Sequence, residues 1–142
     1  MISLQKHDCA TELRDADLKV TPARLGVLAA FEKSQIPLDV SDVIAYLSKH
    51  NVKADKVTVF RIINVLSDRG IVIPIQLNEG KFRYEHSAIA DHHHFICENC
   101  GTIEDISDCN IGELEKNIRQ KKGLIIKRHS LEFFGLCRNC QK

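Results

Sequence analysis

Along the first part of the chain apolar residues recur at helical spacing, and then the period shortens to that of strands. An opening segment, about Leu4 to Ala16, carries a thin apolar pattern that fits a helix. Val20-Thr21-Pro22-Ala23-Arg24-Leu25 predicts a sharper helix start. Thr21 is its N-cap, Pro22 takes the first helical position, and Val20 and Leu25 form a hydrophobic staple. Leu25, Leu28 and Ala29 continue the buried stripe until it gives out near Phe31, and residues 34–39, with Pro37, form a connection. Val43, Ile44 and Leu47 predict a second helix over about Val40 to His50, capped by Asp39. After a polar turn, Val59, Ile62, Ile63 and Leu66 stand at i, i+3, i+4 and i+7. They predict a third helix over about Lys56 to Asp68, with Asp55 as its cap and Gly70 just past its end.

Two β-rich runs follow, Ile71 to Ile75 and Phe82 to Glu85, separated by the hairpin signal Asn78-Glu79-Gly80. Pro74 marks the first as an edge strand. Short helices joined by a tight turn and followed by a hairpin predict a winged helix-turn-helix domain over residues 1–86. A small helical domain that binds protein is the alternative, since fold alone does not fix function. Ser87 to Ala90 reads as a hinge into residues 87–142. There a strand through Phe95-Ile96 turns back over residues 101–106, and Asn110 and Glu113 suggest a capping box. Ile111, Leu114 and Ile118 form the stripe of a helix ending at Gly123, and a last strand within Leu124 to Leu136 carries His129. The expected fold class is α+β, a winged helix followed by a small α/β domain. That domain has few apolar residues of its own, so it calls for a metal clamp and a partner surface, which suggests a dimer.

Composition narrows the setting without choosing a partner. Hydrophobic residues make up 44% and charged residues 27%, as in a soluble globular chain. No apolar run approaches the roughly 20 residues of a membrane span, and residues 1–17 hold no signal-peptide core, so no membrane and a cytoplasmic location are expected. Net charge is +1, with 12 basic against 11 acidic residues up to His86 and 8 against 8 beyond it. Neither half has the basic excess that would by itself announce a nucleic-acid binder.

Chemistry concentrates in Asp91-His92-His93-His94-Phe95-Ile96-Cys97-Glu98-Asn99-Cys100-Gly101. On a strand, His92 and His94 share one face, and Asp91 and His93 the other. Cys97 and Cys100 pair across 36 intervening residues with Cys137 and Cys140. Two Cys-x-x-Cys pairs in a chain with no secretory signal read as a four-thiolate structural zinc site. The alternative is a redox pair, but neither motif opens a helix after a strand as a thioredoxin-like site would. Cys9 and Cys109 have no partner spacing.

The outward face of the third helix carries Thr58, Arg61 and Asn64, with Phe60 nearby. Arginine can pair bidentately with guanine and asparagine with adenine, and an apolar ring can cover a thymine methyl. Lys19, Arg24, Lys53, Lys56 and Arg83 are candidate phosphate contacts. Each lysine alone reads as a solvated charge, but the face as a set favours double-stranded DNA.

These motifs together resemble the ferric uptake regulator (Fur) family of bacterial metal- and peroxide-responsive repressors, along nearly the whole chain. The residues that carry the resemblance are Val20-Thr21-Pro22-Ala23-Arg24, Val57-Thr58-Val59-Phe60-Arg61, the histidine block with Cys97 and Cys100, and His129 ahead of Cys137 and Cys140. The resemblance implies a homodimer on a palindromic operator, with a C-terminal dimerisation domain and structural Zn(II) on the four cysteines. It also implies a regulatory Fe(II) or Mn(II) site, or a Zn(II) one, at Glu85, His92, His94 and Asp105, drawing ligands from both sides of the hinge. A further site is implied at Asp91, His93 and His129, with Glu113 beside the family's usual carboxylate position, where this chain has Gly112.

One departure stands out: where the family commonly has a histidine before the second helix, this chain has Pro37, and Asp39 is the nearby oxygen donor. Zinc-responsive and peroxide-sensing repressors share these ligands. A zinc-ribbon interaction module and a metalloenzyme at His92, His94 and Glu85 are the readings from other classes. No nucleophile–base pair is present and the metal groups are assigned to ligation, so no enzyme is expected.

Overall fold

A computed structural model describes residues 8–77, 80–88, 92–107 and 110–141. The element order is α1 (Cys9–Asp15), α2 (Pro22–Lys33), α3 (Val40–Lys49), α4 (Lys56–Asp68), β1 (Val72–Gln76), β2 (Phe82–His86), β3 (His93–Cys97), β4 (Ile103–Ile106), α5 (Ile111–Lys122) and β5 (Glu132–Gly135). Among the described residues no helix is long and apolar enough to cross a membrane. The chain divides into two compact units, Met1–Ile89 and Ala90–Lys142.

In the first unit each helix starts where a side chain can take up its free N–H groups. Asp8, Thr21, Asp39 and Asp55 accept from the backbone at the starts of α1, α2, α3 and α4. At α3 the cap is reciprocal: Asp42 N–H donates to Asp39 Oδ1 at 2.8 Å, and Asp39 N–H donates to Asp42 Oδ2 at 3.0 Å. The core gathers Leu13, Val27, Leu28, Phe31, Val43, Leu47, Val59, Ile63, Leu66 and Val72. The stripe of α2 therefore does not give out at Phe31. The helix runs to Lys33, and Phe31 is among the largest fully buried side chains. Gly26 lets α2 approach α3, because a Cβ there would stand 2.6 Å from Leu47 Cδ2.

β1 and β2 pair antiparallel, Val72 with His86 through Gln76 with Phe82. Gly80 has a φ of 74°, which suits the reversal, while Asn78 and Glu79 lie outside the described residues. The segment before α3 joins this hairpin: Leu38 N–H donates to Tyr84 C=O at 2.9 Å, and Tyr84 N–H donates back at 2.8 Å. This is a wing tied to the helix-turn-helix.

In the second unit the strand order is β4-β3-β5, with β4 antiparallel and β5 parallel to β3. α5 has Asn110 at its N-cap position but without the expected capping box. The Asn110 side chain instead donates to Glu113 Oε2 at 2.8 Å, so neither side chain caps the backbone. No residue of α5 is fully buried in the described chain, and Leu114, expected on the inner stripe, is exposed. The half-buried positions are Ile111, Glu115 and Ile118. His129 precedes β5 rather than lying on it.

Candidate metal centres and the exposed helix face

The parallel pairing of β3 and β5 puts Cys97, the last residue of β3, opposite Gly135. Both Cys-x-x-Cys turns therefore leave the sheet at the same end. Gly101, with φ 77°, closes the first turn by donating to Cys97 C=O at 2.9 Å, and Cys140 N–H donates to Cys137 C=O at 3.0 Å in the second. The four sulfurs lie within 4.8 Å of one another, with Cys100 and Cys137 at 3.7 Å. A tetrahedron with zinc–sulfur bonds of about 2.3 Å sets its sulfurs roughly 3.8 Å apart.

The electrostatics suit thiolates. Backbone N–H groups of Cys100 and Cys137 bring the Cys97 thiol down to about 6. The Thr102 hydroxyl, then its backbone N–H, lowers Cys100. At Cys140 the Asn99 amide pulls down, but the Cys137 thiol and burial push it up to about 11. Four thiolates so close repel one another, and a divalent cation removes that repulsion. The residues fit a structural zinc.

His92, just before β3, and His94 on it have their Nε2 atoms 3.0 Å apart. Asp105, register partner of His94 on β4, brings Oδ1 to 3.9 Å from His92 Nε2 and 3.8 Å from His94 Nε2. Ligands at about 2.1 Å from one ion stand roughly 3.0–3.4 Å apart, from octahedral to tetrahedral geometry, so these three side chains need only small shifts to hold a single borderline metal. His93 is buried, with its ring 5.1 Å from that of His129. His129 Nδ1 is 2.7 Å from Glu115 Oε1. Glu113 takes a hydrogen bond from Asn110, and the carboxylate that meets His129 is Glu115. Its signal in the sequence was helical spacing: Glu115 stands between Ile111 and Ile118 at i+4 and i−3, on the inward stripe. Asp91 lies outside the described residues. Glu85, in the first unit, is a buried carboxylate on β2.

The ferric uptake regulator family model matches residues 15–134. The chain belongs to the ferric uptake regulator family. It is 34% identical over 133 residues to the ferric uptake regulation protein of Bordetella parapertussis, covering 93% of this chain and 96% of that one. A peroxide-responsive repressor of Staphylococcus saprophyticus is 28% identical over 140 residues, covering 99% and 94%. The crystal structure of the Vibrio cholerae ferric uptake regulator superposes with a TM-score of 0.81 at 30% identity, covering 92% of this chain and all of that one.

This member of the ferric uptake regulator family exposes Thr58, Phe60, Arg61 and Asn64 on α4, and Phe60 is 50% accessible. Lys19 is exposed, and Arg24 Nη1 donates to Lys19 C=O at 3.0 Å. Arg83 is committed elsewhere: it meets Asp42 at 3.3 Å and Pro37 C=O at 3.2 Å. Asp39 is committed too. Burial pushes its carboxyl up, but Lys81 at 2.6 Å and the Asp42 N–H bring it below the ordinary range overall. Pro37 stands where the resemblance leads one to expect a histidine ligand, and the nearby oxygen donor, Asp39, is an ion-paired helix cap.

Proposed function

We propose that the chain is a metal-dependent transcriptional repressor that binds a palindromic double-stranded DNA operator as a homodimer. The proposed regulatory ligands are Glu85, His92, His94 and Asp105, taking Fe(II) or Mn(II). Cys97, Cys100, Cys137 and Cys140 hold structural zinc. Asp91, His93 and His129, with Glu115 in place of Glu113, form an additional metal site. The convergence of His92, His94 and Asp105 at a spacing that one ion satisfies carries the reading. A DNA regulator works where the DNA is, in the bacterial cytoplasm, and the assigned groups are ligands and DNA contacts, not catalysts.

The bound ion supplies positive charge that fixes two neutral imidazoles and a carboxylate in one arrangement. Because metal and DNA favour the same arrangement of the chain, each raises the affinity for the other by the same factor. On the DNA side, Arg61 pairs with guanine, Asn64 with adenine, Phe60 covers a thymine methyl and Thr58 contacts a base or phosphate. Lys19 and Arg24 hold phosphates.

Fluorescence anisotropy on an AT-rich palindromic operator pool tests this at fixed salt, first with chelator and then with Fe(II), Mn(II) or Zn(II) without oxygen. One metal should tighten binding by about tenfold, a coupling of about 1.4 kcal/mol. His92→Ala should keep its fold and lose the response. An unchanged response in that variant removes the proposed sensor site. Tightening by Zn(II) alone selects the zinc-responsive reading, and release by peroxide from the Fe(II) form selects the peroxide-sensing one. No DNA binding under any condition selects the zinc-ribbon interaction module.

A further inference from the structure

Within the first unit, α1, α2 and β2 bring Glu12, Glu32 and His86 together, one ligand atom of each lying within 4.8 Å of the others. His86 Nε2 is 2.8 Å from Glu12 Oε1 and 3.9 Å from Glu32 Oε1. Cys9, the first residue of α1, brings its sulfur to 3.1 Å from Glu32 Oε2. The imidazole is 4% exposed, and the two carboxylates 16% and 18%. Each position sits beside the apolar core, Glu12 next to Leu13 and Glu32 next to Phe31.

We propose that Cys9, Glu12, Glu32 and His86 form a zinc-binding site inside the winged-helix unit, separate from the cysteine and histidine centres of the second unit. One thiolate, one imidazole and two carboxylates are the donor mix of a borderline divalent ion, and four of them complete a tetrahedron. The donors come from three elements, so the ion cross-links α1 and α2 to the last residue of the wing strand β2. The sequence hid the site because its members are 3, 20 and 54 residues apart.

Loading requires a defined proton shift. Ala88 N–H donates to His86 Nδ1 at 3.0 Å, which places the proton of the neutral ring on Nε2, facing Glu12. Zinc takes the Nε2 lone pair. The ring proton then resides on Nδ1, the Ala88 N–H turns away from the ring, and Cys9 gives its thiol proton to solvent. Glu12 and Glu32 enter as carboxylates, so one proton is released for each zinc bound. This inference is independent of the regulatory reading, since it uses none of the regulatory ligands.

The test is a Co(II) titration of the full-length protein carrying zinc on its four-cysteine site, which is spectrally silent. The expected result is a thiolate-to-cobalt charge-transfer band in the near ultraviolet, lost in Cys9→Ser and in His86→Leu. Metal analysis should show one equivalent fewer in His86→Leu than in the parent. Glu32→Gln, which keeps a hydrogen-bond acceptor for Cys9, should also lose that equivalent, and circular dichroism would confirm the fold of every variant. A band that persists in Cys9→Ser, or unchanged stoichiometry in folded His86→Leu or Glu32→Gln, overturns the proposal. Absence of any band in the parent also overturns it, and the cluster is then a polar latch only.

Discussion

The two units of this chain are held together by different means. In the first, Leu13, Leu28, Phe31, Leu47, Ile63 and Leu66 from four helices are buried against one another, as in an ordinary small domain. In the second, the buried positions among the described residues are His93, His94, Ile96, Cys97 and Cys137, most of which carry ligand atoms. Six of its large apolar side chains, Leu114, Leu124, Ile125, Phe133, Phe134 and Leu136, are exposed. Hydrophobic burial within the chain is enough for the first unit. The other unit relies on metal coordination and on covering an apolar face, which the proposed homodimer does.

The sharpest break in this contrast comes from Cys97→Ser. A four-thiolate zinc site is worth about 10 kcal/mol or more of folding free energy, so losing one ligand should abolish zinc retention and the thermal transition of the second unit. The winged unit should still melt cooperatively, as followed by calorimetry alongside zinc analysis. A zinc-free variant with both transitions intact would contradict the contrast. The converse substitution, Phe31→Ala, should cost about 3–5 kcal/mol and lower only the first transition. A smaller effect tests the join between wing and helix. The Asp39 carboxyl lies below its ordinary 3.8, so its stabilising contribution is complete above about pH 4 and is lost as pH falls through the lower folded value. Asp39→Asn should flatten that acid limb of the first unit's stability by about 1 kcal/mol; an identical acid limb would show that the pair with Lys81 contributes nothing.

Much of the fold was legible because local signals agreed with one another. Thr21-Pro22 and Asp55 mark helix starts, and the i, i+3, i+4, i+7 apolar set of α4 is buried as its spacing predicts. The four cysteines were legible from spacing alone, since two pairs on one chain have few other uses. What was hidden depends on tertiary context. Phe31 stands past the point where the stripe of α2 weakens, and only the neighbouring helices bury it. The stripe of α5 looked like Ile111, Leu114 and Ile118 because a carboxylate is not expected on an inward face. The structure puts Glu115 there to meet His129. Asn110 and Glu113 have the spacing of a capping box but bond side chain to side chain, an outcome no spacing rule separates from a true cap.

The clamp at the wing also reaches into the thermodynamics of DNA binding. Lys81 and Arg83 lie on the wing, where cations would ordinarily face phosphates, yet they neutralise Asp39 and Asp42 at the start of α3. A cation already paired within the protein displaces no condensed counterion when it meets a duplex. Each phosphate contact forgone lowers the steepness of the salt dependence by about 0.9 in log affinity per log salt. On the proposed reading of α4 as the base-contacting helix, operator binding leans more on that helix, and its occupancy follows changes in cellular ionic strength less closely than a wing with free cations would allow.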